Sequence, residues 1–276
     1  MMVLGILGDE RVSRSKSPLM HNAVMRRRSI HGVYVPFPVK SEDVGAALQG
    51  IRALGIVGAN VTVPHKEAVL PFLDGLSHEA SLAGAVNTLV RREDRLEGHN
   101  TDIHGFVEAI SGVGLTAAGA SVLLLGAGGA ARAALVGLSR LGVAEIWVAS
   151  RDLQRAARVA GPFGARALPL EQVQEAASSA RILINATSVS SPQDGPELAR
   201  LLEPLRLPRC TLVVDLNYGR EENLWERLAA ASGARFVDGI PMLVHQAARS
   251  FALWTEIEVS PDEYLAALEA GPAQGI

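Results

Sequence analysis

The stretch that most constrains this chain is Ser121-Val122-Leu123-Leu124-Leu125-Gly126-Ala127-Gly128-Gly129-Ala130-Ala131-Arg132. Val122 to Leu125 is an apolar run of the length a buried parallel strand needs, and the glycines after it turn the chain into an alanine-rich helix. Gly126 permits the turn, Gly128 lets backbone approach a pyrophosphate, and Ala131 stands where a third small residue packs helix on strand. Phosphates placed there meet the first helical N–H groups, which lack intrahelical partners, and the positive end of the helix dipole. Gly126, Ala127, Gly128, Gly129 and Ala130 are therefore the expected nucleotide-binding turn. An ordinary strand-to-helix turn is the alternative reading of the same residues.

With 276 residues, 48% of them hydrophobic, the chain can bury a full core and has the length of about two domains. Its 26 basic and 29 acidic residues leave a net charge of -3, so no strong field would draw it to nucleic acid or to an anionic membrane. Small polar or anionic metabolites are the expected partners. Cys210 is the only cysteine and cannot form an internal disulfide, and Met1 to Gly8 lacks a basic leader followed by a long apolar core. No apolar run approaches the roughly 18 residues of a membrane span, and a cytoplasmic location is the expectation. Neither Cys-x-x-Cys nor His-Glu-x-x-His occurs, so no metal site is expected.

The first hundred residues alternate strand and helix signals. Val3 to Leu7 reads as a strand leading into the polar loop Asp9 to Lys16. Ser17 as N-cap and Pro18 at the first helical position predict a helix to about Arg28, with Leu19, Ala23 and Val24 facing inward. For Ser15 and Ser17 alone, capping and loop solubility are sufficient roles. Val33 to Val39 reads as an edge strand, because Pro36 and Pro38 cannot donate to a central ladder. Ser41 predicts a helix start, with the helix running to about Leu54. Ile56 to Val63 reads as a third strand, with Asn60 and Thr62 on one face opposite Val61 and Val63. Pro64 ends it and aims Lys66 from a loop at the strand's C-terminal end, where open α/β sheets present ligand groups. His65 reads as structural. A strand through Val86 to Val90 pairs across Glu93-Asp94 with Arg95 to Gly98. Asp102 then stands at the start of a helix over Ile103 to Ser111, either as its N-cap or as a carboxylate that orients Lys66.

In the second half, Gly112 to Gly119 reads as a linker and hinge before the central strand. The strand Glu145 to Ala149 ends in Ser150-Arg151-Asp152-Leu153-Gln154-Arg155, the place where a Rossmann domain reads the adenosine ribose. The guanidinium forks of Arg151 and Arg155 suit a 2'-phosphate. Asp152 suits an unphosphorylated ribose, or simply the helix dipole in a first turn. Strands follow at Arg181 to Ile184 and Thr211 to Leu216. Gly239 opens a helix to about Trp254 with Leu243, Ala247, Phe251 and Trp254 on its apolar side and Gln246 near that face. Ser260 starts a last short helix, and Gly271 to Ile276 is expected to fray.

Four motifs, Ser15-Lys16-Ser17-Pro18-Leu19-Met20-His21-Asn22, Asn60-Val61-Thr62-Val63-Pro64-His65-Lys66, Gly84-Ala85-Val86-Asn87-Thr88 and Gly98-His99-Asn100-Thr101-Asp102, together resemble the shikimate dehydrogenase family in wording, order and spacing. The resemblance spans nearly the whole chain. It implies an α/β fold: an N-terminal α/β substrate domain, a Rossmann-type doubly wound dinucleotide domain, and a C-terminal helix returning to the first domain. The corresponding boundaries are residues 1–103 with 239–276, and 104–238. It further implies substrate contact by Ser15, Ser17, Thr62, Asn87, Tyr218 and Gln246, with Asn60 nearby, and a catalytic pair in Lys66 and Asp102. Thr187 and Ser188, in Asn185-Ala186-Thr187-Ser188, resemble the loop beside the nicotinamide. Gly239 and Met242 join the cofactor set, and Ser150, Arg151 and Arg155 point to NADP, with NAD left open by Asp152.

The implied reaction is NADP-dependent reduction of 3-dehydroshikimate to shikimate, in chorismate and aromatic amino-acid biosynthesis. Two segments depart from the family pattern. Val189-Ser190 stand where a glycine is expected after the serine, and the Pro and Thr-Pro usual after Tyr218 are missing, with Asn223-Leu224 in their place. These departures keep two alternatives: a quinate/shikimate dehydrogenase-like enzyme using NAD on a related cyclohexane polyol, and a non-catalytic dinucleotide-binding regulatory paralogue. No tyrosine is followed four residues later by lysine, which removes the short-chain dehydrogenase pair. Assembly as a homodimer is left open.

Overall fold

A computed structural model describes residues 1–271. The expected fraying of Gly271 to Ile276 thus falls, beyond Gly271, outside the described residues. The fold is α/β, and the chain divides into two compact units: Met1–Gly105 with the segment from Leu243 onward, and Phe106–Met242.

In the first unit six strands form one sheet: β1 (Met2–Gly8), β2 (Gly32–Pro38), β3 (Gly58–Val61), β4 (Gly75–Leu76), β5 (Thr88–Arg92) and β6 (Arg95–His99), in the order β2-β1-β3-β5-β6-β4. β1 runs parallel to both β2 and β3, while β5 is antiparallel to β3 and to its hairpin partner β6. β2 lies at the edge, where its two prolines leave no ladder bond unmade. The register sets Asn60 opposite Ile6 on one side and Thr88 on the other, which puts a polar side chain in the middle of a buried strand. The helix Ile240–Thr255 locks onto this sheet through Trp254, whose indole Nε1 donates to the Leu89 carbonyl at 2.8 Å. A Cβ at Gly58 would collide with that same nitrogen, so only glycine lets the ring approach the strand.

Several local expectations shift. Ser17 is the first residue of the helix Ser17–Arg27, not its N-cap. Lys16 holds that position already in helical geometry, and it is the Ser15 hydroxyl that accepts the Ser17 N–H at 3.2 Å. The buried side of this helix carries Met20, His21, Val24 and Met25, with Leu19 and Ala23 only half-buried. Ser41 opens a short 3-10 turn, and the α-helix begins at Val44. The strand expected over Ile56 to Val63 is regular only over Gly58–Val61, with backbone bonds to the neighbouring strands one residue further at each end, at Val57 and Thr62, and Val63 is exposed. On the helix Ile240–Thr255, Leu243 is half-buried, while Met242, Val244, Ala247, Phe251 and Trp254 are buried.

The second unit is an all-parallel sheet of β7 (Ser121–Leu125), β8 (Glu145–Ala149), β9 (Arg166–Leu168), β10 (Ile182–Asn185), β11 (Leu212–Asp215) and β12 (Arg235–Val237), in the order β12-β11-β10-β7-β8-β9. Counted from β7, that order is the doubly wound arrangement whose direction reverses beside the first strand. The reversal lies between β7 and β10, and the turns leaving these strands meet there. Gly126 has φ +112°, and a Cβ on it would lie 2.7 Å from the Ala186 carbonyl oxygen. Glycine is required at that turn by conformation and by contact together.

His21 generates a pH prediction for folding. Its ring is wholly buried and stacks on Tyr34 with centroids 4.4 Å apart, and burial pushes its pKa from 6.5 down to about 3. The unfolded chain binds a proton below its ordinary value while the folded chain does not. The stability this supplies is fully present above about pH 6.5 and falls by up to about 1.4 kcal/mol per pH unit as the pH drops towards the folded value. The variant His21→Phe should show a shallower loss of denaturation midpoint between about pH 7 and about pH 5 than the native chain. Equal slopes would mean that His21 is not the group responsible.

Candidate active site

In the first unit, the ends of β3, β5 and β6 and the helix Asp102–Ser111 deliver a set of polar side chains to one place. The turn after β3 carries Lys66, whose Nζ donates to Asp102 Oδ2 at 2.5 Å; the two side chains are 14% and 8% exposed. The other carboxylate oxygen, Oδ1, accepts from Asn87 Nδ2 at 2.9 Å. Asn87 Nδ2 also reaches Thr101 Oγ1 at 2.9 Å and, at 3.4 Å, Gln246 Oε1 from the helix Ile240–Thr255. Gln246 Nε2 is turned back to the Leu243 carbonyl at 2.9 Å. A buried ion pair stands only when its remaining lone pairs are satisfied, and Asn87 does that here. The arrangement can hold an ammonium group in one direction at the edge of a polar patch, which is what proton exchange with a hydroxyl or carbonyl oxygen requires.

The other residues predicted from sequence divide around this cluster. Asn60 is buried behind it: its Oδ1 accepts from the Tyr34 hydroxyl at 2.7 Å, and its Nδ2 lies 3.1 Å from each of Asn87 O, Thr88 Oγ1 and Ser250 Oγ. Among the described residues, no hydrogen bond joins Ser15, Ser17 or Thr62 to the pair. Ser17 is buried, and Thr62 turns its methyl towards Gly8, where a Cβ would lie 2.6 Å from Thr62 Cγ2. His65 is structural, its Nε2 2.7 Å from the Val39 carbonyl. Tyr34, Thr88, Thr101 and Ser250 escaped the sequence reading. Three of them left a signal: Thr88 closes the Gly84-Ala85-Val86-Asn87-Thr88 motif, Thr101 lies inside the Asn100-Thr101-Asp102 motif, and Ser250 stands four residues after Gln246, on the same helix face.

In the second unit, Gly128 is the N-cap of the helix Gly129–Arg140, and nothing lies within 4 Å of where its Cβ would stand. Ala127 is buried, whereas Gly129 and Ala130 are half-buried at the helix start. At the end of β8, Ser150 is half-buried and Arg151 and Arg155 are exposed. Asp152 is the N-cap of the helix Leu153–Ala160 rather than part of its first turn, and its Oδ1 accepts the Arg155 N–H at 2.9 Å. Gly239 is fixed by contact, since a Cβ there would lie 2.5 Å from the Leu216 carbonyl oxygen. Met242 is buried in the core of this unit. Thr187 folds its hydroxyl onto Asn185 Oδ1 at 2.7 Å, Ser188 is exposed, and Tyr218 is half-buried.

The two departing segments turn out to be partners. The Val189 carbonyl accepts from Asn185 Nδ2 at 3.0 Å and from the Trp225 indole at 2.9 Å, and the Ser190 carbonyl accepts the Leu224 N–H at 2.7 Å. Asp194 Oδ2 accepts from the Ser190 and Ser191 N–H groups at 3.1 and 3.0 Å and from Arg220 Nε at 3.0 Å. Burial opposes ionisation of Asp194, but the Ser190 N–H, the Ser191 hydroxyl and the Arg220 charge outweigh it and hold the carboxyl below the usual range. Asn217, next to Tyr218, donates to Thr187 O at 2.8 Å and lies 3.0 Å from Ser190 Oγ. Asn223 caps the helix Leu224–Ser232.

Family models match the chain in three consecutive blocks: "Shikimate dehydrogenase substrate binding domain" over residues 6–89, "Shikimate / quinate 5-dehydrogenase" over 109–227 and "Shikimate 5'-dehydrogenase C-terminal domain" over 239–269. Among curated relatives, the shikimate dehydrogenase (NADP(+)) of Geobacter metallireducens is 39% identical over 269 residues, covering 94% of this chain and 93% of that protein. The shikimate 5-dehydrogenase of Thermus thermophilus, solved in complex with NADP(H) and shikimate, superposes with a TM-score of 0.84 at 38% identity, covering 98% of this chain and 99% of that one. That of Listeria monocytogenes, solved with shikimate and NAD, gives a TM-score of 0.83 at 30% identity over 97% of this chain and 96% of that one.

Replacing Asp194 by alanine should free the Ser190 and Ser191 N–H groups, raising their hydrogen exchange by roughly tenfold, as the loss of a charge-assisted bond of ~1.5 kcal/mol or more requires. Unchanged exchange at those two amides would show that Asp194 does not hold the segment.

Proposed function

The chain belongs to the shikimate dehydrogenase family, and on that premise we propose that it reduces 3-dehydroshikimate to shikimate, reversibly and with NADP, on the way to chorismate and the aromatic amino acids. The observation that carries the reading is the buried contact of Lys66 Nζ with Asp102 Oδ2, its other oxygen held by Asn87. In reduction, Lys66 gives a proton to the carbonyl oxygen; in oxidation, it takes the proton of the reacting hydroxyl. Asp102 fixes the direction of the amine and offers an acceptor to a substrate hydroxyl. Ser15, Ser17, Thr62, Asn87, Tyr218 and Gln246 are the proposed substrate contacts. So many hydroxyl and amide groups suit a polyol, because a deoxy analogue would leave some of them unpaired. Asn60, with both ends of its amide engaged, is better read as support beneath these residues than as a contact.

The residues of the second unit fit a dinucleotide. The open space at Gly128, at the N-terminus of a twelve-residue helix, is what close approach of a pyrophosphate needs. Gly126, Ala127, Gly128, Gly129 and Ala130 would hold the phosphates, with Thr187, Ser188, Gly239 and Met242 towards the nicotinamide. When bound, the nicotinamide supplies the hydride acceptor in oxidation and the donor in reduction. Ser150, Arg151 and Arg155 would read the 2'-phosphate. Asp152, the residue that suits NAD, gives Oδ1 to the Arg155 N–H as a helix cap, which favours NADP. The proposal extends to a cytoplasmic location and to a homodimer, and it includes neither nucleic acid nor membrane as a partner.

The test is the initial rate of nicotinamide reduction with shikimate and with quinate, each with NADP and with NAD. Turnover should be confined mainly to shikimate with NADP, and its absence in all four with nucleotide still bound would overturn the reading in favour of another polyol or a non-catalytic role. In Lys66→Ala, kcat should fall by at least about a hundredfold, the usual scale of acid–base catalysis, with nucleotide affinity unchanged. For Arg151→Ala, the NADP to NAD ratio of kcat/KM should move towards NAD; an unchanged ratio would assign the ribose reading elsewhere.

A further inference from the structure

Behind the Lys66–Asp102 pair lies a run of buried side chains of which the roles above use only Asn60 and Asn87. It starts at Tyr34, whose hydroxyl can reach Asn60 only as a donor to Oδ1, at 2.7 Å, because the Asn60 amide nitrogen is directed at Asn87 O, Thr88 Oγ1 and Ser250 Oγ. Thr88 Oγ1 lies 2.8 Å from Ser250 Oγ and 3.0 Å from Asn87 Oδ1. Asn87 Oδ1 also accepts the Thr101 N–H at 2.7 Å. An amide oxygen facing two donors cannot be exchanged with its NH2 end without leaving both donors unmade, so the Asn87 amide has one permitted orientation. In that orientation its NH2 faces Asp102 Oδ1.

We propose that Tyr34, Asn60, Thr88 and Ser250 are positioning residues that lock the Asn87 amide and thereby aim Asp102 Oδ2 at Lys66. One head-to-tail path runs from the Tyr34 hydroxyl to Asn60, from the Asn60 NH2 to Thr88, from the Thr88 hydroxyl to Asn87 and from the Asn87 NH2 to the carboxylate, and bonds so aligned polarise one another; Ser250 flanks it, bonded to both Asn60 and Thr88. Thr88 and Ser250 are completely buried, so they act on the reaction only through their neighbours, Asn87 and, at 3.2 and 2.9 Å, Thr101. The inference rests on the reading of Lys66 and Asp102 as the acid–base pair, and its test has one arm that needs no turnover.

The variants are Thr88→Val, which keeps the shape and removes the hydroxyl, Thr88→Ser, which restores it, and Tyr34→Phe. In the full-length protein, Thr88→Val should lower kcat about tenfold and displace the pH profile of kcat, with KM for NADP unchanged, and Thr88→Ser should recover both. Independently of activity, the side-chain NH2 of Asn87, followed by proton–nitrogen NMR and assigned by its loss in Asn87→Asp, should exchange with solvent at least about tenfold faster in Thr88→Val. Tyr34→Phe should give the same change, and it decides the matter if Thr88→Val does not fold. Native exchange at Asn87 in both variants would overturn the inference, whether or not shikimate is turned over. An unshifted pH profile in a native protein that does turn over shikimate would overturn it while leaving the reaction assigned.

Discussion

The contact on which the buried polar cluster of the first unit depends is the hydrogen bond from Asn87 to Asp102. A lysine and a carboxylate shielded from water gain strength from the low local dielectric but are costly wherever a lone pair is left unmet. Asn87 meets that requirement from the end of the short connection into β5, and it can do so only because the antiparallel hairpin sets it beside the start of the helix that carries Asp102. The mixed character of this sheet, parallel at β1 to β3 and antiparallel at β5 and β6, therefore has a structural consequence. It brings three chain segments, around residues 66, 87 and 102, to one end of the interior strands without long crossovers.

The second unit reaches its site by a different rule. Parallel strands wound in opposite directions from β7 leave a gap at the reversal, and the two turns that border it approach within the width of a missing side chain. Gly126 is shaped by its neighbour across that gap. Gly128, two residues later, has nothing against it. The same residue type thus serves opposite ends, close packing at one position and open space at the next.

Much of this was legible in the sequence, for reasons that can be stated residue by residue. The Val122 to Leu125 run and its glycines announced strand, turn and helix because their local constraints are strong, and Pro36 and Pro38 placed β2 at an edge because a missing N–H has few tolerable locations. Lys66 and Asp102 were legible through their motifs, and the structure sets them 2.5 Å apart. Ser17 and Ser41 misled because capping depends on backbone angles that neighbours decide, and Lys16 was already helical. Thr88 and Ser250 showed only their place, one closing a motif and the other one turn beyond Gln246, because the hydrogen bond that joins them spans 162 positions and follows no spacing rule. Asp194 and Arg220 were equally silent, because a charge pair separated by a helix and a strand carries no spacing rule.

The pairing of those last two has a consequence for how such a chain can change. Val189 presses on Gly195, where a Cβ would lie 2.7 Å from Val189 Cγ2, and the carbonyls of Val189 and Ser190 are capped by Trp225 and Leu224. A proline at position 224 would remove the N–H that the Ser190 carbonyl accepts, whereas a glycine at 189 or 190 would leave both carbonyls and their bonds in place. The two segments are thus held as one piece of structure, coupled some thirty residues apart along the chain by backbone bonds and by the Arg220–Asp194 pair.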